Sequence, residues 1–164
     1  PETINNINEK KKILTILNSF KKFPEINFFF TSPAPDPKNI NIIKIIKKFC
    51  KKEKNYFFIK SFGRKYYFSM IRNVDCVFGI SSSGIIEVPS FKTATINIGT
   101  RQKGRELSKS VINCDYKKKQ IILSIKRIYS KSFQKLLKKN NNIFYKKNTS
   151  DKMIKSIKSF LNNE

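Results

Sequence analysis

Acidic residues are scarce in this 164-residue sequence, cysteine occurs three times, glycine five times and histidine not at all. No run of about 18 apolar residues exists, so no bilayer-spanning helix is predicted. No charged n-region leads into an apolar stretch with a small-residue cleavage site, so no secretory signal is read and a soluble, cytoplasmic protein is expected. Cys50, Cys76 and Cys114 are odd in number, far apart and form no C-x-x-C pair. That spacing supports neither a disulfide framework nor a zinc site, and the three are expected as core thiols. The length suits one domain, residues 1–164, with a core of ordinary size.

What is abundant is lysine. Lys and Arg number 35 against 11 Asp and Glu, a formal charge of +24. Such a charge ordinarily points to nucleic acid or an acidic membrane surface. Here 30 of the 35 are lysine, beside 25 Ile and 17 Asn, and those three amino acids share A/T-rich codons. Genome base composition therefore accounts for the bias. The lysines are spread over every predicted helix with no RRM, KH or helix-turn-helix pattern. Specific nucleic-acid binding is not predicted, although weak, salt-sensitive attraction to polyanions is.

Hydrophobic spacing gives an alternation of helices and strands. Ile13, Ile16, Leu17 and Phe20 mark a first amphipathic helix that stops near Pro24. A strand over Asn27 to Thr31, a helix around Ile42, Ile45, Ile46 and Phe49, and a strand over Tyr56 to Ile59 follow. Tyr67, Phe68 and Ile71 mark a third, shorter helix. Asp75 to Gly79, Thr95 to Ile98 and a weaker Val111 to Asn113 are further strands. Ile121, Leu123, Ile125 and Ile128 fall in another helix, and Ile154, Ile157 and Leu161 in a last one after the polar run Asn140 to Asn142. Strands separated by helices need crossover connections, which predicts an α/β, Rossmann-like parallel sheet with helices on both faces. Phe28, Phe29 and Phe30 are assigned to its core. Ligands of such sheets bind beyond the carboxyl ends of the strands. Ser32 to Pro37, Phe62 to Arg64, Ile80 to Gly84 and Gly99 to Arg105 all fall there.

The segment Gly79 to Glu106, GISSSGIIEVPSFKTATINIGTRQKGRE, has the layout of an anion site. A strand ends in Ser81, Ser82, Ser83 and Gly84, whose backbone N–H groups can face a phosphate where a helix over Ile85 to Phe91 opens. Glu87 lies about one turn further on, where a carboxylate can accept both hydroxyls of a ribose. Arg101 and Arg105 follow the next strand, and a guanidinium suits a pyrophosphate. These are the features of a nucleoside-diphosphate pocket. Each has a plainer reading: a serine as N-cap, Glu87 as a surface carboxylate in a helix first turn, Arg101 in an ion pair with Glu87 or Glu106. Asp36, in Ser32-Pro33-Ala34-Pro35-Asp36, is either a turn former or a group at the sugar or at a regulatory pocket.

The same residues resemble the UDP-N-acetylglucosamine 2-epimerase family, in its hydrolysing branch. That family carries G-N-S-S-x-G-x-x-E and then an apolar strand running into N-[IL]-G-x-R-Q-x-G-R. Gly79, Ser81, Ser82, Gly84, Glu87, Asn97, Gly99, Arg101, Gln102, Gly104 and Arg105 stand in that register. Ile80 replaces the usual asparagine, which removes an amide from the pocket lip, and Ala34 replaces another before Asp36. The R-D-x-T-E-R-P-E pattern of the non-hydrolysing branch is absent.

The resemblance implies that Ser81 and Ser82 bind the phosphates of UDP, Glu87 the ribose and Arg101 the diphosphate, with Ser83, Gly84, Arg105 and Asp36 as further candidates. It implies the C-terminal half of a two-domain glycosyltransferase-B-type enzyme. Pro1-Glu2-Thr3 resembles the end of the family's strand followed by H-P-x-T, so that histidine and a central first strand are expected just upstream. The implied partners are a UDP-sugar substrate, the N-terminal domain of the same enzyme and, when complete, further copies of itself. No metal or redox cofactor is implied, and the acid/base carboxylates are expected in the N-terminal domain. The rival readings are a free-standing nucleotide-sugar-binding module without catalysis and a basic nucleic-acid-binding domain.

Overall fold

A computed structural model describes residues 6–33 and 39–161. Helix α1, Asn6–Phe20, presents Leu17 and Phe20 to the core, at the spacing that predicted it. Strand β1, Phe28–Thr31, helix α2, Ile40–Cys50, and strand β2, Tyr56–Ile59, form a parallel crossover unit with Phe28 opposite Tyr56. Helix α3, Gly63–Asn73, leads to β3, Cys76–Gly79. Next come a one-turn helix α4, Ser83–Ile86, a 3-10 turn over Val88–Phe91 and strand β4, Ala94–Ile98. Strand β5, Val111–Cys114, is followed by helices α5, Lys118–Ile128, α6, Lys131–Lys138, and α7, Thr149–Leu161.

Every strand pairing is parallel, as the crossover argument requires, and the pairing falls into two groups, β1–β2 and β3–β4–β5. Period-two alternation along β4 serves both faces. Ala94, Ile96 and Ile98 join Leu17, Phe20, Ile121 and Ile125 in the core beneath α1 and α5. Thr95 points to the opposite face and meets α4. The two strand groups share no ladder, yet Phe20 spans them. Its ring stacks on Phe28 of β1 at 4.3 Å and meets Phe78 of β3 edge-on at 5.1 Å.

Several expectations need correction. Phe28 and Phe30 pack on the core, but Phe29 is 45% exposed and stacks instead on exposed Phe57. The pleat turns Phe29 to the face opposite Phe28 and Phe30, and on β1 that face is exposed, whereas β4 is buried on both. The helix expected over Ile85 to Phe91 is one α turn and one 3-10 turn, broken where Pro89 lacks an N–H. Helix α6 was not predicted. Ser130 caps it by accepting from the Phe133 N–H, and Phe133 and Leu137 are buried. Helix α7 forms as predicted but buries none of its residues.

Cys50, Cys76 and Cys114 are free thiols. Desolvation raises all three, Cys76 to about 12, which makes them weak nucleophiles at neutral pH and fits a packing role. Among the described residues no helix is long and apolar enough to cross a membrane, and no cluster of His, Cys, Asp and Glu is arranged to hold a metal ion.

Candidate functional site

Because β3 and β4 run parallel in adjacent positions, the segments that follow them leave the sheet at the same end. The segment after β3 carries Ser81 to Gly84. Ser82 is the N-terminal flanking residue of α4, and its side chain makes no capping bond. The Ser81 hydroxyl takes that part by accepting from the Ser83 N–H at 3.3 Å. The capping reading therefore accounts for one serine and leaves the Ser82 hydroxyl unassigned. The backbone N–H groups of Ser81 and Ser82 find no acceptor among the described residues. Two adjacent amides without a partner are what an anion requires.

Three side chains from three elements hold this loop from behind. The Thr95 hydroxyl on β4 donates to the Gly84 carbonyl at 2.6 Å. The Tyr67 hydroxyl on α3 shares a 2.7 Å hydrogen bond with the Ser83 hydroxyl. Gln102 Nε2, beyond β4, donates to the Ile80 carbonyl at 2.8 Å. The Ile80 side chain turns away from the loop mouth and packs on the core. Gly84 is glycine because Thr95 leaves no room: an added Cβ would lie 2.8 Å from Thr95 Cγ2. Gly84→Ala should destabilise the chain by about 1–3 kcal/mol through overpacking, read as a lower urea midpoint with an unchanged slope. A midpoint equal to that of the parent chain would show that the contact is not tight.

The Gln102 bond also brings the second predicted segment to the first. Gly99, at φ 79°, takes the chain out of β4, and tight turns follow from Lys103 N–H to Thr100 and from Arg105 N–H to Gln102. Arg101 and Arg105 are left exposed. Neither forms an ion pair among the described residues, where Lys12–Glu9 and Lys21–Glu53 are such pairs, so the ion-pair reading of Arg101 finds no support. Glu87 is exposed at the junction of α4 and the 3-10 turn, with its N–H on the Ser83 carbonyl at 2.9 Å. Asp36 lies outside the described residues. Tyr67 and Thr95 were not singled out from sequence, and Gln102 was noted only as a motif position. Beside this loop pair, a cleft of about 390 Å³ between β5 and α5 is lined by Gly99, Asn113, Asp115, Gln120, Ser124 and Arg127 among others.

The polar run after α6 is structural. Asn142 Nδ2 donates to the Ile86 carbonyl and to the Ser90 hydroxyl, and Asn140 Nδ2 to the Ser110 hydroxyl. The Asn142 bonds tie the C-terminal part of the chain to the segment that carries Glu87.

Comparison with known proteins follows the same division. A family model described as UDP-N-acetylglucosamine 2-epimerase matches residues 1–158. The polysialic acid biosynthesis protein P7 of Escherichia coli is 34% identical over 162 residues, 98% of this chain and 41% of that protein. The GDP/UDP-N,N'-diacetylbacillosamine 2-epimerase (hydrolyzing) of Campylobacter jejuni is 34% identical over 116 residues, 70% of this chain and 30% of that protein. The crystal structure of UDP-GlcNAc 2-epimerase from Neisseria meningitidis, bound to UDP-GlcNAc, superposes with a TM-score of 0.70 at 18% identity, covering 92% of this chain and 41% of that one. The chain thus spans about two-fifths or less of the length of these relatives.

Proposed function

Because the chain belongs to the UDP-N-acetylglucosamine 2-epimerase family, we propose that it is the UDP-holding half of a hydrolysing 2-epimerase acting on a UDP-2-acetamido sugar. The observation that carries this reading is the junction of the two motif loops, where Gln102 joins the Ile80 carbonyl and the amides of Ser81 and Ser82 and the guanidinium of Arg101 have no partner among the described residues. Those groups present positive potential to a diphosphate. Glu87, one turn on, takes the ribose hydroxyls, and Arg105, Ser83, Gly84 and Asp36 are secondary candidates. A relative bound to a UDP-sugar supports the ligand class.

In the proposed reaction a base removes the proton from C2, the C1–O bond breaks, and UDP departs with the bonding electrons to leave a glycal. Water then adds across the double bond, and the free sugar leaves epimerised at C2, a precursor for nonulosonic acids of the sialic type. Loss of UDP places new negative charge on the β-phosphate oxygen. Positioned donors stabilise such charge most strongly where water is excluded. This chain supplies the donors, and the acid and base belong to the N-terminal half. On this reading a central strand just upstream of residue 1 completes the sheet of this half, whose described strands fall into two groups without a shared ladder.

The residues 1–164 alone should turn over neither UDP-N-acetylglucosamine nor its diacetylated bacillosamine analogue. Joined to a family N-terminal half, they should release UDP and free sugar, followed by chromatography and NMR. Turnover by the isolated chain would refute the division of labour. Release of an epimerised UDP-sugar would refute the hydrolysing assignment.

A further inference from the structure

We propose that Gln102, acting with Tyr67 and Thr95, is a positioning residue that sets the shape of the Ile80–Gly84 loop for its ligand; this rests on the nucleoside-diphosphate reading above. The three side chains fix the loop at separate points: Gln102 on the Ile80 carbonyl, Tyr67 on the Ser83 hydroxyl and Thr95 on the Gly84 carbonyl. Between the first and second of these points lie Ser81 and Ser82, whose amides have no acceptor among the described residues. The residue before Gln102 is Arg101. One side-chain amide therefore ties the backbone that carries Arg101 to the backbone that carries the two donors.

Gln102 is a poor choice for stability alone. Only 5% of it is exposed, and its Oε1 is buried with no hydrogen-bond partner. The amide cannot turn over to relieve this, because Oε1 would then face the Ile80 carbonyl and repel it. A buried carbonyl left unpaired costs as much as a neutral hydrogen bond gains, or more. An apolar side chain of the same length would remove that cost, while taking the donor from the half-buried Ile80 carbonyl. What the amide adds is a loop already ordered before ligand arrives, so less freedom is lost on binding.

Gln102→Met keeps the length and removes both polar atoms. Its thermal midpoint should stay near that of the parent, relief of the unpaired Oε1 offsetting loss of the Ile80 bond, while affinity for UDP and for inorganic pyrophosphate falls roughly threefold to tenfold in each case. Tyr67→Phe, which removes one hydroxyl, should shift both affinities in the same direction. Hydrogen exchange at the Ser83, Gly84 and Ile85 amides, which bond to Ser81 and Ser82, should quicken in Gln102→Met while exchange in β4 is unchanged. Parent-like affinity in Gln102→Met, or a loss of affinity matched by a fall in the thermal midpoint, would overturn the inference. If the parent chain binds neither UDP nor pyrophosphate, the nucleotide reading fails, and the exchange measurement decides alone: no quickening at the loop overturns the positioning role as well.

Discussion

Phe20→Ala is expected to cost about 3–5 kcal/mol, the range for removing a buried aromatic side chain, and should lower the urea midpoint more than any substitution of a surface aromatic. Phe20 is 4% exposed, and its ring lies against Phe28, Phe30 and Phe78. These partners belong to both strand groups, which no ladder connects. Removing the ring therefore leaves a cavity and also weakens the packing that joins β1–β2 to β3–β4–β5. Phe29→Ala is the control: its partner Phe57 is also exposed, and an aromatic pair of this kind contributes about 0.5–1.5 kcal/mol beyond area burial. Equal losses in the two variants would mean that Phe20 does not bridge the groups.

Arg101→Ala is expected to weaken UDP binding tenfold or more without lowering stability. Removing a hydrogen bond to a charged group costs about 1.5–3 kcal/mol, and the Arg101 side chain is exposed with no ion pair among the described residues, so its truncation leaves no partner stranded. Calorimetric titration and thermal denaturation of the same samples separate the two quantities. Unchanged affinity would remove Arg101 from the site. Glu87→Gln should weaken UDP more than pyrophosphate, because only UDP carries a ribose. Equal losses would argue against the ribose contact.

The alternation of helices and strands was legible because each element advertises its buried side locally. Tyr56 to Ile59 is an apolar run of four, and Ile121, Ile125 and Ile128 mark one helical face. Helix α6 escaped because KSFQKLLK offers two core residues, Phe133 and Leu137, among lysines. Its start is signalled by Ser130, which reads equally well as a loop residue. The α4 segment was read as too long because apolar spacing outweighed Pro89. In the site, the two loops were visible as motifs in series. The bonds that bring them together were not, since Tyr67–Ser83, Thr95–Gly84 and Gln102–Ile80 join residues 16, 11 and 22 positions apart. No local periodicity encodes such pairs, and a threonine on a strand or a tyrosine on a helix looks the same whether it holds a loop or faces solvent.

The bond from Gln102 ends on a main-chain oxygen. Isoleucine at position 80 therefore performs that duty as well as asparagine would, because every amino acid brings the same carbonyl, while its branched side chain serves the core. A contact written into the peptide bond is indifferent to the codon above it. In a chain whose composition leans so heavily toward Lys, Ile and Asn, the geometry of this junction can persist while the side chain at position 80 drifts.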